Sequence, residues 1–225
     1  MKTAYFFDFD GVICDSIHEC FEVSFNAFYK YNQTVKEKSQ IRDLFFEYRG
    51  LVGPAWQYYY LHDVLNNYND NFENEFMNSI SNSNDKTKRE FQNEFFKERA
   101  QFKKNNFDGW IRLNPLTKLG NSLIGKAANN SYIITTKDKD SVELILNYFN
   151  IEMVEIFSKE EFEKFQTKGK IIDFIMNKSS YEKGVFIDDH VGHLDSVDND
   201  KVECYFEERG YGINTSYPVY KGWIL

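Results

Sequence analysis

Short apolar runs alternate along most of this chain with longer stretches whose apolar positions recur at helical spacing. Lys2 to Asp8, Ser131 to Thr136 (SYIITT), Ile151 to Phe157, Gly184 to Ile187 and Val202 to Phe206 are rich in Tyr, Phe, Val and Ile, and each reads as a buried strand. Between them come amphipathic patterns. Asp15 and Ser16 are good helix caps, and Ile17, Phe21, Phe25 and Phe28 follow at helical spacing. Helices are predicted over Leu116 to Ala128, Asp138 to Asn150 (Val142, Ile145, Leu146 and Phe149 on one face) and Lys168 to Met176 (Ile171, Ile172 and Ile175 inward). Strands alternating with helices predict an α/β fold, a parallel sheet flanked by helices.

One long segment breaks the alternation. Residues 36 to 108 carry little strand signal, and KEKSQIRDLFFEYR, PAWQYYYLHDVL, NFENEFMNSI and TKREFQNEFFKERAQFKK all read as helices. Gly50 and Gly53-Pro54 separate the first two, and Ser81 to Asp85 is a polar turn. Counted from residue 17 to 110, this is an all-helical insert of about ninety residues, a size ordinary for a domain. Asn105 to Pro115 (NNFDGWIRLNP) then returns the chain to the α/β part.

Composition narrows the function. The 225 residues are 42% hydrophobic and 18% aromatic, enough for a packed core, and carry a formal charge of −8 with a pI near 5.1. That balance argues against nucleic-acid binding, which needs a basic face. Three cysteines, Cys14, Cys20 and Cys204, make no disulfide framework and fit a reducing compartment. Cys14 is the kind of thiol that packs as a small hydrophobe. No basic stretch and apolar run precede the first strand, and no stretch approaches a membrane span. A cytoplasmic protein with no membrane partner is expected.

The candidate chemistry lies where strands end. Asp8 and Asp10 follow Ala4 to Phe7 in AYFFDFDGVICDS, with Gly11 permitting a tight exit, and Asp188-Asp189 follow GVFI. In parallel α/β sheets, ligands bind outside the C-terminal strand ends, where Asp8, Thr135 and the acid pair all fall. Clustered acids repel and are costly to desolvate, and a hard divalent cation with oxygen ligands is the usual remedy. A lone DxD is equally served by one cap and one solvated carboxylate. Further acids, a hydroxyl pair and a lysine in fixed order change that balance.

The order DxD, Thr, Lys, DD, with DFDGV as its first element, resembles the four motifs of the haloacid dehalogenase-like hydrolase superfamily, and within it the phosphoglycolate phosphatase and β-phosphoglucomutase subgroup. The resemblance implies a Rossmann-like core from residues 1–16 and 111–225 and a mobile, substrate-selecting cap from 17–110. It assigns Asp8 as nucleophile and Asp10 as general acid and base, its main-chain carbonyl on the metal. Thr135 and Lys168 become phosphate and nucleophile contacts, and Mg2+ is held by Asp8, Asp10 and Asp189, with Asp188 binding it directly or through water. Thr136 and Lys170 compete for the hydroxyl and lysine roles. Thr135 is preferred because Thr136-Lys137 then occupies the motif's Asn-Lys places, and Lys168 because it opens its helix. His190 and His193 in DDHVGHLDS suggest capping or loop hydrogen bonds more than metal binding, and His18 a surface role. Arg49, Arg99, Trp56 and Tyr58 to Tyr60 are candidate substrate contacts, although such residues are more often surface arginines or helix-packing aromatics.

The implied activity is Mg2+-dependent hydrolysis of a small phosphorylated metabolite through an aspartyl-phosphate. The alternatives are a phosphomutase with the same core, or a non-catalytic phosphometabolite-binding module. Asp10 disfavours a dehalogenase, since that branch lacks the second acid of the first motif.

Overall fold

A computed structural model describes residues 2–32, 36–67, 71–126, 129–214 and 216–222. The chain forms two compact units, Met1–Ser16 with Asn114–Leu225, and Ile17–Leu113.

The first unit is built on a five-stranded parallel sheet. Its strands are β1 (Thr3–Phe7), β2 (Ser131–Ile134), β3 (Glu155–Phe157), β4 (Lys183–Asp188) and β5 (Val202–Phe206), in the order β3-β2-β1-β4-β5. Only a both-sides-covered sheet explains strands this apolar, and β2 is buried at every position. Ala4, Phe6, Tyr132, Ile134, Phe186 and Phe206 pack with Ile171, Ile172 and Ile175 into one core. The chain fills one side of β1 with β2 and β3, then crosses to place β4 and β5 on the other. The order therefore reverses between β1 and β4, the place where such sheets bind ligands. Phe7 pairs with Ile187 and the Asp8 amide donates to the Ile187 carbonyl at 2.9 Å, so the carboxylates that follow are set side by side.

The helical unit comprises α1 (Ile17–Tyr31), α2 (Lys38–Tyr48), α3 (Gln57–Asn66), α4 (Phe72–Ser81), α5 (Asp85–Asn105) and α6 (Phe107–Arg112). Its own core contains Phe21, Phe28, Phe45, Leu61, Phe76 and Phe95. Beneath it lies a buried ion pair: Arg99 donates to both carboxylate oxygens of Glu19, at 2.7 and 2.9 Å, and the Trp110 indole donates to the same carboxylate at 3.2 Å. Arg99, a candidate anion contact by sequence, is thus an internal partner of Glu19. Arg49 is likewise buried, donating to the Val52 carbonyl at 2.9 Å beside the Tyr58 ring. Tyr58 and Tyr60 are core residues of this unit, while Trp56 stands under Lys88.

The remaining helices of the first unit are α7 (Lys118–Leu123), α8 (Lys139–Phe149), α9 (Lys159–Phe165), α10 (Lys168–Lys178) and α11 (Val191–Leu194). Three local expectations are corrected here. The helix predicted over 116–128 is only α7, because Thr117 caps Gly120 and the chain turns away through Ile124 and Gly125, whose φ is +68°. Residues 127 and 128 of that prediction lie outside the described residues. The strand predicted from Ile151 begins at Glu155, since Asn150 takes a left-handed conformation and the Ile151 amide turns back to Leu146. The link expected over 105–115 contains α6, capped by Asn106. The short α9 and α11 carry too few turns to show periodicity in sequence. No helix among the described residues is long and apolar enough to cross a membrane.

Candidate active site

Three loops at the C-terminal ends of β1, β2 and β4, with the first turn of α10, converge on a group of acids. Asp8 and Asp188 are buried, and the fully buried Lys168 ammonium stands between them, 2.7 Å from Asp8 Oδ1 and 2.7 Å from Asp188 Oδ2. Lys168 opens α10, whose start is fixed by the Thr167 side chain accepting from the Lys170 amide. Lys170 itself points outward and is exposed. Close packing sets the depth of Lys168: a Cβ on the neighbouring Gly169 would lie 1.8 Å from the Ser196 carbonyl oxygen.

Asp188 has two further donors. The His190 amide reaches Oδ1 at 2.8 Å, and His193 Nδ1 lies 3.2 Å from Oδ2. His193 is therefore part of the acid group, by a hydrogen bond of the kind its loop position suggested. Asp8, Asp188 and His193 present oxygens and a ring nitrogen all within 4.8 Å of one another. Asp189 is held differently. Its Oδ2 accepts from the Tyr211 amide at 2.6 Å, and the carboxylate is wedged against two glycines. A Cβ at Gly11 would stand 2.3 Å from that oxygen and one at Gly210 2.4 Å, so neither position has room for a side chain. Gly11 also has φ +85°.

Asp10 does not share the counter-ion of Asp8, although a DxD on extended chain would put both on one face. The strand ends at Phe7, and Asp10 bridges to Cys14 in a turn. Its Oδ1 accepts from the Ser16 hydroxyl and from Lys137 Nζ at 3.0 Å. Cys14 is buried beside this turn, with the Ser16 hydroxyl 3.5 Å from its sulfur. Thr135 follows β2 and is buried; its Oγ1 accepts from the Lys137 amide at 3.1 Å, and its own amide is spent on the Phe157 carbonyl. Thr136 is half-buried beside it. Lys137 is the site residue to which sequence reasoning assigned no role of its own. A lysine directly after the hydroxyl pair was the available sign, and its burial is visible only in three dimensions.

Electrostatics follow from burial. Desolvation raises Asp8 from the ordinary carboxylate value to about 6, against the pull of Lys168 and with the neighbouring Asp188 charge adding to the rise. Burial opposes ionisation of Asp188 too, yet Lys168 and His193 together hold it well below the usual range. Lys168 is raised despite its burial, because both carboxylates favour its charge. Asp8 and Asp188 share the Lys168 ammonium and Asp10 pairs with Lys137, while Asp189 accepts from the Tyr211 amide. The donor set of Asp8 and Asp188, buried carboxylates whose facing oxygens lie within 4.8 Å of one another and of His193 Nδ1, fits an oxygen-liganded divalent cation such as Mg2+.

The architecture has counterparts among solved structures. A predicted phosphatase from Clostridium acetobutylicum superposes with TM-score 0.63 at 17% identity, over 94% of this chain and 87% of that one. A predicted phosphoglycolate phosphatase from Haemophilus somnus gives 0.61 at 13% identity, over 98% and 90%. A haloacid dehalogenase-like family hydrolase from Streptococcus pneumoniae gives 0.60 at 15%, over 94% and 87%. The fold is that of the haloacid dehalogenase-like hydrolases. No family model and no curated protein matches the sequence. At these identities the likeness concerns the fold alone, and within that fold the acid group lies at the reversal between β1 and β4.

Proposed function

We propose that the protein is a Mg2+-dependent phosphatase that hydrolyses a small phosphorylated metabolite through an aspartyl-phosphate on Asp8. The observation that carries this reading is the pairing pattern of the acids: Asp8 faces Lys168 and Asp188, while Asp10, two residues on, has its own cation in Lys137. A nucleophile and a proton-transfer group need such separate surroundings.

Phosphate monoesters hydrolyse extremely slowly in water, and a carboxylate nucleophile divides the reaction into two easier steps. In the first step Asp8 attacks phosphorus, the bond to the leaving oxygen breaks, and Asp10 gives that oxygen a proton. In the second Asp10 takes a proton from water, which attacks the phosphoryl group and returns Asp8 as a carboxylate. Lys168 holds Asp8 in place and offers positive charge to the phosphoryl oxygens. Thr135 supplies a hydroxyl to one of them. Asp8, Asp188 and Asp189, with the main-chain carbonyl of Asp10, would hold Mg2+, which when bound neutralises the acids and the phosphoryl oxygens together. The helical unit is the substrate-selecting part in this reading. A mutase shares these core groups and differs in the acceptor of the phosphoryl group.

The test is a screen of sugar phosphates, nucleotides and phosphoglycolate with the purified chain, with and without Mg2+. Release of phosphate from at least one small monoester, abolished by verified metal removal, is the expected result. Binding without turnover across the screen would instead favour the non-catalytic module.

A further inference from the structure

Lys137 is a buried lysine to which the mechanism above gives no step. Its side chain is wholly shielded from solvent, and its ammonium lies 3.0 Å from Asp10 Oδ1 and 3.4 Å from Ser16 Oγ. We propose that Lys137 is a positioning residue for Asp10, orienting the proton-transferring carboxylate so that the enzyme can expel poor, alkoxide-like leaving groups. The proposal rests on the phosphatase reading and adds a specificity determinant to it.

Three observations converge. The first is that the Lys137 main chain is pinned on both sides. Its amide donates to Thr135 Oγ1 at 3.1 Å, and its carbonyl accepts from the Lys159 amide at 3.0 Å, tying the end of β2 to the start of α9. The side chain therefore starts from a fixed point. The second is that Asp10 lies beyond its strand in a turn, where the backbone alone does not fix the carboxylate. Lys137 and the Ser16 hydroxyl meet at the same oxygen, Oδ1, and two donors on one oxygen restrict both the rotamer and the plane of the group. The third is energetic. Burying the Lys137 side chain desolvates its ammonium, a cost that pairing with the partly exposed Asp10 carboxylate offsets, so the pair is weak evidence of a stability role and points to what the charge does at Asp10. Lys168 cannot substitute, since it is committed to Asp8 and Asp188.

Protonation by Asp10 matters most when the leaving oxygen is basic. Loss of its orientation should therefore be felt by an alkyl phosphate and much less by an aryl phosphate. The experiment compares wild type, Lys137→Met and Lys137→Gln in single-turnover phosphorylation and in steady state, using an alkyl phosphate turned over by the wild type and p-nitrophenyl phosphate. A positioned proton-transfer group contributes roughly 10²–10⁴-fold, so Lys137→Met should lose at least ~10-fold in phosphorylation by the alkyl ester, with KM little changed and a clearly smaller loss on the aryl ester. Lys137→Gln, which keeps a donor without the charge, should recover part of the loss. Equal losses on both esters, a rise in KM alone, or no loss would overturn the proposal. Should Lys137→Met fail to fold, Lys137→Gln carries the same contrast between esters. An inactive wild type appears before any variant is compared, and would overturn the phosphatase reading itself.

Discussion

Asp8 and Asp10 are chemically identical and two residues apart, and their surroundings divide their roles. Asp8 is buried against Lys168, whereas Asp10 is partly exposed and bonded to Ser16 and Lys137. On the proposed mechanism, Asp8→Asn keeps the shape and removes the nucleophile, so no labelled phosphoenzyme should be trapped, and Asp10→Asn keeps the nucleophile and removes the proton donor and later base. Asp10→Asn should lose ~10²–10⁴-fold on alkyl phosphates, less in phosphorylation by an aryl phosphate, and accumulate phosphoenzyme because water lacks its base. Label on Asp8→Asn, or equal losses for both esters in Asp10→Asn, would refute this division of labour. Asp8, Asp188 and Lys168 lie at a strand end or helix start that periodicity locates, which is why their neighbourhood was legible in sequence. The burial of Lys137 was not, because it depends on neighbours distant along the chain. Asp10 reaches Lys137 across 127 positions.

At the scale of elements, segments with a clear apolar period or a compact β-rich run read true, and short capped helices did not. Helix α8 and strand β5 stand where their patterns placed them, whereas α6 and α9 start at side-chain caps and α11 is a single turn packed against β4 and β5. The polar interior of the helical bundle was also invisible, and it makes two predictions. His62 of α3 is wholly buried, in contact with Phe21, Phe25 and Phe28 of α1 and Phe45 of α2, and its Nε2 lies 2.8 Å from Ser24 Oγ. Burial, aided by the Lys38 charge, lowers its pKa from 6.5 to about 3. A base depressed in the folded state leaves stability untouched above the unfolded pKa and costs stability as pH falls below it. Between pH 6.5 and 5 the loss should be about 2 kcal/mol, continuing toward pH 3. Urea melts of wild type and His62→Phe at several pH values measure it, and an unchanged acid slope in the variant would exclude His62 as the source. The Glu19–Arg99 pair gives the second prediction. Arg99→Met strands a buried carboxylate beside Trp110 and should cost ~3–5 kcal/mol, whereas Glu19→Gln with Arg99→Met should recover much of that loss. Thermal melts of the single and double variants decide it.

Over the whole molecule, the chain leaves the α/β unit after Ser16 and rejoins it at Asn114, so the central strand β1 is separated from both of its partners by the entire helical unit. The two units have separate hydrophobic cores, one around Phe6 and Phe186 and the other around Phe21 and Phe45. The acids gathered around Lys137 and Lys168 all belong to the first unit, and the buried Glu19, Arg99 and His62 to the second. A cation bound at the acids stabilises the state that holds them together, by about 2.7 kcal/mol at a hundred times its dissociation constant. With no substrate present, that stabilisation belongs to the α/β unit alone, because none of the acids lies on α1 to α6. Hydrogen exchange read by fragment, with Mg2+ titrated into metal-free protein, should therefore raise protection in β1 and β4 as Mg2+ increases. Peptides from the Phe21–Phe45 core should keep their metal-free rates. Equal gains in both units would mean that they open as one cooperative body, and no gain in β1 and β4 would exclude a divalent cation at the acids.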